Sequence, residues 1–377
     1  MGKDSEADIG SWGFFNEPKE LVKEDYKEAI GKIVSRYEKN QEIAAIYDWG
    51  SPSNPGISDL DIVFVMQDGA KSPLPLMHRS FMLLDEKTRY IARHPFMFIE
   101  ERDFQDIRHI YPSGNLRKVF GRTIGQNRLK KDEEEVLQRA VLTDIIIRHY
   151  PRDFLGQQLQ RKVNVRDSML RLNSLKYTFE TLRLLSGNKN KEHQRFASEV
   201  SCLRKEWFQS PDPGRLVALC DYALTEIMDI IEKSRKLSLG SSWLKKLPDD
   251  IRYFGIKNSA HFIKDWEKEK AFSQMKQIFR ASGRHTSVLP MELAPLILHY
   301  ASQKGGISAH IRENLDPFYN LSFDGKAISR RIQILNNQAE LARRLRHSDF
   351  PAFFDFGYRN MSGINNLALR ILDRIRF

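Results

Sequence analysis

Apolar residues follow two rhythms along the chain. Residues 42–49 and 59–66 are apolar runs of strand length. Gly50-Ser51 closes the first and Gln67-Asp68-Gly69 the second, both with turn chemistry. Upstream, residues 18–39 predict a helix with Leu21, Tyr26, Ile30 and Ile33 on its apolar side. Downstream, Met77, Phe81, Leu84, Thr88 and Ile91 recur at helical steps up to His94-Pro95, where proline disfavours further helix. Phe96 to Ile99 reads as a third strand, followed by Glu100 and Glu101.

From about 130 to 236 the period is helical throughout. Leu172, Leu175, Phe179, Leu182 and Leu185 form one stripe, and Leu216, Leu219, Ala223, Ile227 and Ile230 form another. Breaks fall at Ser186-Gly187-Asn188 and over 210–214. A Leu-Ser-Leu-Gly-Ser-Ser stretch from residue 237 reads as a boundary. More helix is expected beyond it, with turns at Ala281-Ser282-Gly283 and Gly305-Gly306 and an apolar face made by Ile332, Leu335, Ala339, Ala342 and Leu345. Three domains are therefore expected, over 1–128, 129–236 and 237–377, the last mostly helical. The fold class is α+β, a mixed sheet with flanking helices followed by largely helical domains.

Charge changes the picture modestly. The 377 residues include 60 basic and 49 acidic side chains, a formal net charge of +11 that favours an anionic partner. Arg330, Arg331, Arg343, Arg344 and Arg346 cluster on the last helical face, and the chain ends in LALRILDRIRF. Such a face suits RNA, acidic lipid or plain solvent. The aromatic run from Asp349 to Tyr358 is expected to pack in a core. The only cysteines, Cys202 and Cys220, suggest neither zinc nor disulfide. No apolar run approaches the roughly 20 residues of a membrane span, and the N-terminal stretch lacks a signal-peptide core. A soluble, cytoplasmic protein is expected. There is no Gly-x-Ser-x-Gly, Walker A or His-Glu-x-x-His motif, and the ten histidines are scattered.

The candidate chemistry lies between the first two strands. Side chains two apart on a strand share a face, so Asp59 and Asp61 stand side by side while Leu60 and Ile62 point the other way. Two such carboxylates raise each other's pKa unless a cation lies between them, and a hard divalent ion, Mg²⁺ above all, suits them. Gly50 lets backbone approach a phosphate closely, and Ser51 adds a hydroxyl donor.

Strand, Gly50-Ser51, a short loop and Asp59-Leu60-Asp61 on the next strand together resemble the signature of the DNA polymerase β-like nucleotidyltransferase superfamily. The likeness is close over 43–66 and loose over the first 110 residues. It implies a nucleotidyltransferase-type sheet and an NTP substrate. Mg²⁺, or Mn²⁺ in its place, would be held by Asp59 and Asp61, with Gly50 and Ser51 cradling the triphosphate. In-line attack by an acceptor would transfer a nucleoside monophosphate and release pyrophosphate. A third carboxylate often comes from the following strand in this superfamily. Here Glu100 or Glu101 would serve, Glu100 preferred, although both follow the apolar run instead of lying inside it. The helical bundle is expected to close the nucleotide cleft, with Lys176 as a candidate triphosphate contact. The loop from Pro52 to Ser58 carries no arginine where many relatives have one, so phosphate neutralisation falls to the next domain. These two departures motivate an alternative, a catalytically silent nucleotide- or RNA-binding regulatory module. A sugar phosphate, an antibiotic, a tRNA end and a protein hydroxyl are all compatible acceptors.

Overall fold

The computed structural model describes residues 9–50, 52–71, 84–93, 96–112, 114–149, 154–187, 189–237, 249–254, 259–283, 286–293 and 325–345. It is a mixed α+β structure. The central sheet has four strands in the order β4-β3-β2-β5, formed by β2 (Ile43–Trp49), β3 (Asp61–Met66), β4 (Met97–Glu100) and β5 (Leu116–Gly121). β2 runs antiparallel to both β3 and β5, whereas β3 and β4 are parallel. A short N-terminal strand β1 (Gly13–Phe15) pairs separately with β6 (Lys162–Asn164).

Alternation along β3 sends its two sets of side chains into two cores. Ile62, Phe64 and Met66 face α1 (Lys23–Tyr37), whose Tyr26, Ala29, Ile33 and Tyr37 form its buried stripe. Phe64 stacks on Phe98 with ring centroids 4.9 Å apart. Val63 and Val65 face the opposite way, into the core built with α6 (Val165–Ser186), α7 (Lys191–Glu206) and α8 (Pro213–Leu237). The predicted stripes account for this packing: Leu172, Leu175, Phe179 and Leu182 are buried, as are all five residues of the second stripe. Gly187 ends α6 in the left-handed conformation, and Gly283 does the same for α9 (Lys268–Ser282). Between α1 and α6 lie α2 (Glu86–Ile91), α3 (Glu101–Phe104), α4 (Lys131–His149) and α5 (Leu155–Gln160).

Two features go beyond the mostly helical, separate domain expected over 237–377. First, β7 (Asp250–Phe254), β8 (Ser259–Ile263) and β9 (Thr286–Pro290) form a three-stranded sheet beside α8 and α9. Its apolar strands are only five residues long, which periodicity alone does not separate from helix. Second, α10 (Gly325–Arg344) lies on the central sheet. Gln338 donates to the Phe98 carbonyl at 3.0 Å, and Leu341 and Leu345 join the α1 core. Its arginines are used there. Arg331, with 0 % exposure, donates to the carbonyls of His109 and Ile110, Arg330 pairs with Asp103 and Asp106, and Arg344 pairs with Glu100. All three are thus engaged by groups of this chain. Arg343 has no described side chain, and Arg346, Gly305-Gly306, the 349–358 run and the terminal LALRILDRIRF lie outside the described residues. No described helix is long and apolar enough to cross a membrane.

Candidate active site

The loop joining β2 to β3 is fixed by side chains from four helices. Tyr26 of α1 accepts a hydrogen bond from the Gly56 amide at 3.1 Å and donates to the Ser58 carbonyl. Tyr90 of α2 donates to the Gly56 carbonyl at 2.6 Å. Arg166 donates to the carbonyls of Ile57 and Ser58, each at 3.2 Å, and to that of Tyr90 at 2.8 Å. Arg204 of α7 donates to the Ser58 hydroxyl at 3.0 Å. Gly56 itself is at φ +84°, and a Cβ there would fall 2.0 Å from the Lys19 carbonyl oxygen, so no other residue fits.

Local sequence explains how Arg166 reaches the loop. Asn164 caps α6, accepting from the Asp167 amide at 3.2 Å, which puts Arg166 in the first turn. Its guanidinium lies 3.7 Å from the Tyr90 ring centroid. Arg166 and Arg204 are each only 3 % exposed. Burial lowers both guanidinium pKa values, and the Asp59 carboxylate opposes that in each case. A buried cation needs such a partner, so Asp59 and the two arginines form one electrostatic group. The Arg93–Asp167 ion pair, at 2.6 Å, flanks it.

Asp61 opens β3 opposite Trp49 and takes the side of Val63 and Val65, towards α6 and α7. Leu60 and Ile62 are both buried in the α1 core, the opposite face, as the alternation predicts. Asp59 lies two residues before Asp61, on the same side as its arginine partners. Gly50 has φ +110°, a conformation that favours glycine, and a Cβ built there meets no atom within 4 Å among the described residues. Its amide is bound to the Asn115 carbonyl at 3.1 Å. Ser51 lies outside the described residues. Lys176 is half-buried, donates to the Ser201 hydroxyl at 3.0 Å, and has its pKa lowered by burial and by Arg204. It therefore belongs to the helix surface that carries Arg204.

Glu100 is not brought to this group. Because β4 is parallel to β3, Glu100 pairs with Met66, five residues along the strand from Asp61, or about 16 Å at ordinary strand rise. It is 1 % exposed and bound to Arg344, Arg102 and the Gly69 amide. Burial opposes its charge, but these donors outweigh it and hold the carboxyl below its ordinary range. Glu101 follows it into α3 and pairs with Arg122. Among the described residues, no group of three or more His, Cys, Asp or Glu side chains is gathered as for a metal ion.

Tyr26 stands on the apolar side of its helix as expected, but its hydrogen bonds to the loop, like those of Tyr90, Arg166 and Arg204, have no counterpart among the sequence expectations. One signal was present: a cation in the first turn of a helix opposes the macrodipole, so Arg166 needed a partner elsewhere. No protein-family model, curated protein or solved structure matches this chain.

Proposed function

We propose that the protein is a Mg²⁺-dependent nucleotidyltransferase that moves a nucleoside monophosphate from an NTP to an acceptor and releases pyrophosphate. The observation that carries this reading is the Asp59 carboxylate beside the buried Arg166 and Arg204, two residues before Asp61 opens β3 on the side of Val63 and Val65. The donor set fits the metal. Mg²⁺ is commonly held by one or two carboxylates, with water and substrate phosphate completing six oxygens, so Asp59 and Asp61 suffice on the protein side. When bound, the ion neutralises phosphate charge and stabilises the attacking and leaving oxygens.

The chain's own contribution is positioning and charge. Arg204 and Lys176 supply positive potential for the triphosphate, in place of the arginine missing from the loop. Arg166, Tyr26 and Tyr90 hold the loop so that Asp59 keeps a fixed position, which limits reorganisation during the reaction.

The position of Glu100 favours a second reading, a catalytically silent module that binds nucleotide without transferring it. Pyrophosphate release with each of the four NTPs and Mg²⁺, in the presence of desalted cell extract as acceptor source, separates the two. Release by wild type that is lost in Asp61→Asn supports transfer. Mg²⁺-dependent NTP binding with no release supports the silent module.

A further inference from the structure

The edge strand β5 and the segment after it carry a feature that nucleotide binding does not require. Between Asp106 and Asp132 the chain has no acidic residue and seven basic ones. Arg108 donates to the Gly114 carbonyl, while Arg117, Lys118, Arg122, Arg128, Lys130 and Lys131 are all exposed. Two of these six are paired among the described residues, Arg117 with Asp48 and Arg122 with Glu101. Lys118 donates to the Thr123 hydroxyl. Lys118, Arg128, Lys130 and Lys131 have no ion pair among the described residues. Four consecutive acids, Asp132 to Glu135, end the basic track where α4 begins.

This track starts beside the candidate site. Leu116 is opposite Trp49, which is opposite Asp61, so two strand spacings, about 10 Å, separate the track from the carboxylate. At that junction Trp49 and Tyr111 pack edge to face with ring centroids 5.0 Å apart. A line of cations ending at aromatic rings matches the chemistry of a single nucleic-acid strand, with phosphates along the basic side chains and a base against the rings. An acidic peptide would use the cations alone.

We propose that β5 and residues 122–131 bind single-stranded RNA and lead its end to Asp59 and Asp61, which makes RNA the acceptor. The acceptor assignment rests on the transfer reading above; the binding surface does not.

The test is binding of a fluorescein-labelled single-stranded oligouridylate to the full chain without NTP, over a range of salt concentrations. Wild type is compared with Asp61→Asn and with the triple variant Lys118→Gln, Arg128→Gln, Lys130→Gln, whose changed side chains are exposed. The triple variant is expected to lose at least tenfold in affinity at low salt. Its slope of log affinity against log salt should become shallower by about 2, since each phosphate contact contributes about 0.7. Asp61→Asn, at the end of the path, should bind no more weakly than wild type, because it removes a negative charge from beside the strand. Ultraviolet crosslinking to wild type should label peptides containing Trp49 or residues 107–131, a readout independent of variant folding. Unchanged affinity and slope, crosslinks confined elsewhere, or equal competition by polyglutamate would overturn the surface. Failure of pyrophosphate release with RNA binding intact would instead overturn transfer and leave the surface standing.

Discussion

The Arg166 guanidinium donates to the carbonyl oxygen of Ser58 at 3.2 Å, and Ser58 is the residue before Asp59. A helix more than a hundred residues further along the chain thus sets the position of the first candidate metal-binding carboxylate.

Replacing Arg166 by Met leaves the carbonyls of Ile57, Ser58 and Tyr90 without this donor. The expected cost is about 3 kcal/mol or more in chemical denaturation, because charged hydrogen bonds and buried unsatisfied acceptors are each worth roughly 1–3 kcal/mol. Arg166→Lys should recover little, since an ammonium cannot reproduce the planar fork that reaches three acceptors. Denaturation midpoints of the two variants check this.

Gly50 and Gly56 separate strain from crowding. Gly50→Ala carries only the cost of a positive φ, about 1 kcal/mol, with no clash among the described residues. Gly56→Ala adds a backbone collision and should cost about 3 kcal/mol or more. Thermal unfolding of both variants should show the larger drop for Gly56→Ala. NTP affinity, corrected for folded fraction, should fall for Gly50→Ala.

Glu100→Gln should separate stability from chemistry. It removes a buried carboxylate from Arg344 and Arg102, with an expected loss of about 3 kcal/mol. Pyrophosphate release per folded molecule should stay at the wild-type value. A fall comparable to that of Asp61→Asn would return Glu100 to the active site.

Asp85 gives a pH signature. It caps α2, accepting from the Thr88 amide at 3.0 Å, and its carboxyl is held down to about 2 chiefly by that bond. The folded value lies below the unfolded one, roughly 3.9, so this stabilisation is complete above pH 4 and disappears as pH falls towards 2. Asp85→Asn keeps a capping oxygen without the titration. Its stability difference from wild type should therefore shrink over that interval in urea melts.

The β2–β3 pair was legible because its signals are local. The alternation that set Asp59 and Asp61 against Leu60 and Ile62 needs only eight residues of sequence. Glu100 was misread because nothing local tells whether the strand after Pro95 runs with or against β3, and that direction moves the acid from one end of the strand to the other. Arg204 carries no local mark in the sequence, and only tertiary packing turns it towards Ser58. The basic face of α10 suits RNA, acidic lipid or solvent equally on sequence alone, whereas Asp103, Asp106 and Glu100 supply counterions to Arg330 and Arg344 from more than 220 residues earlier.

That last separation has a consequence during translation. The outer edge of β4 is closed by Gln338 and its helix, which the ribosome makes about 240 residues after β4 itself. At ordinary elongation rates the wait is on the order of tens of seconds, during which the Phe98 carbonyl lacks its Gln338 donor. A message cut short before codon 325 would remove that donor and the Leu341 and Leu345 contacts for good, and its product should be a client for chaperones and proteases.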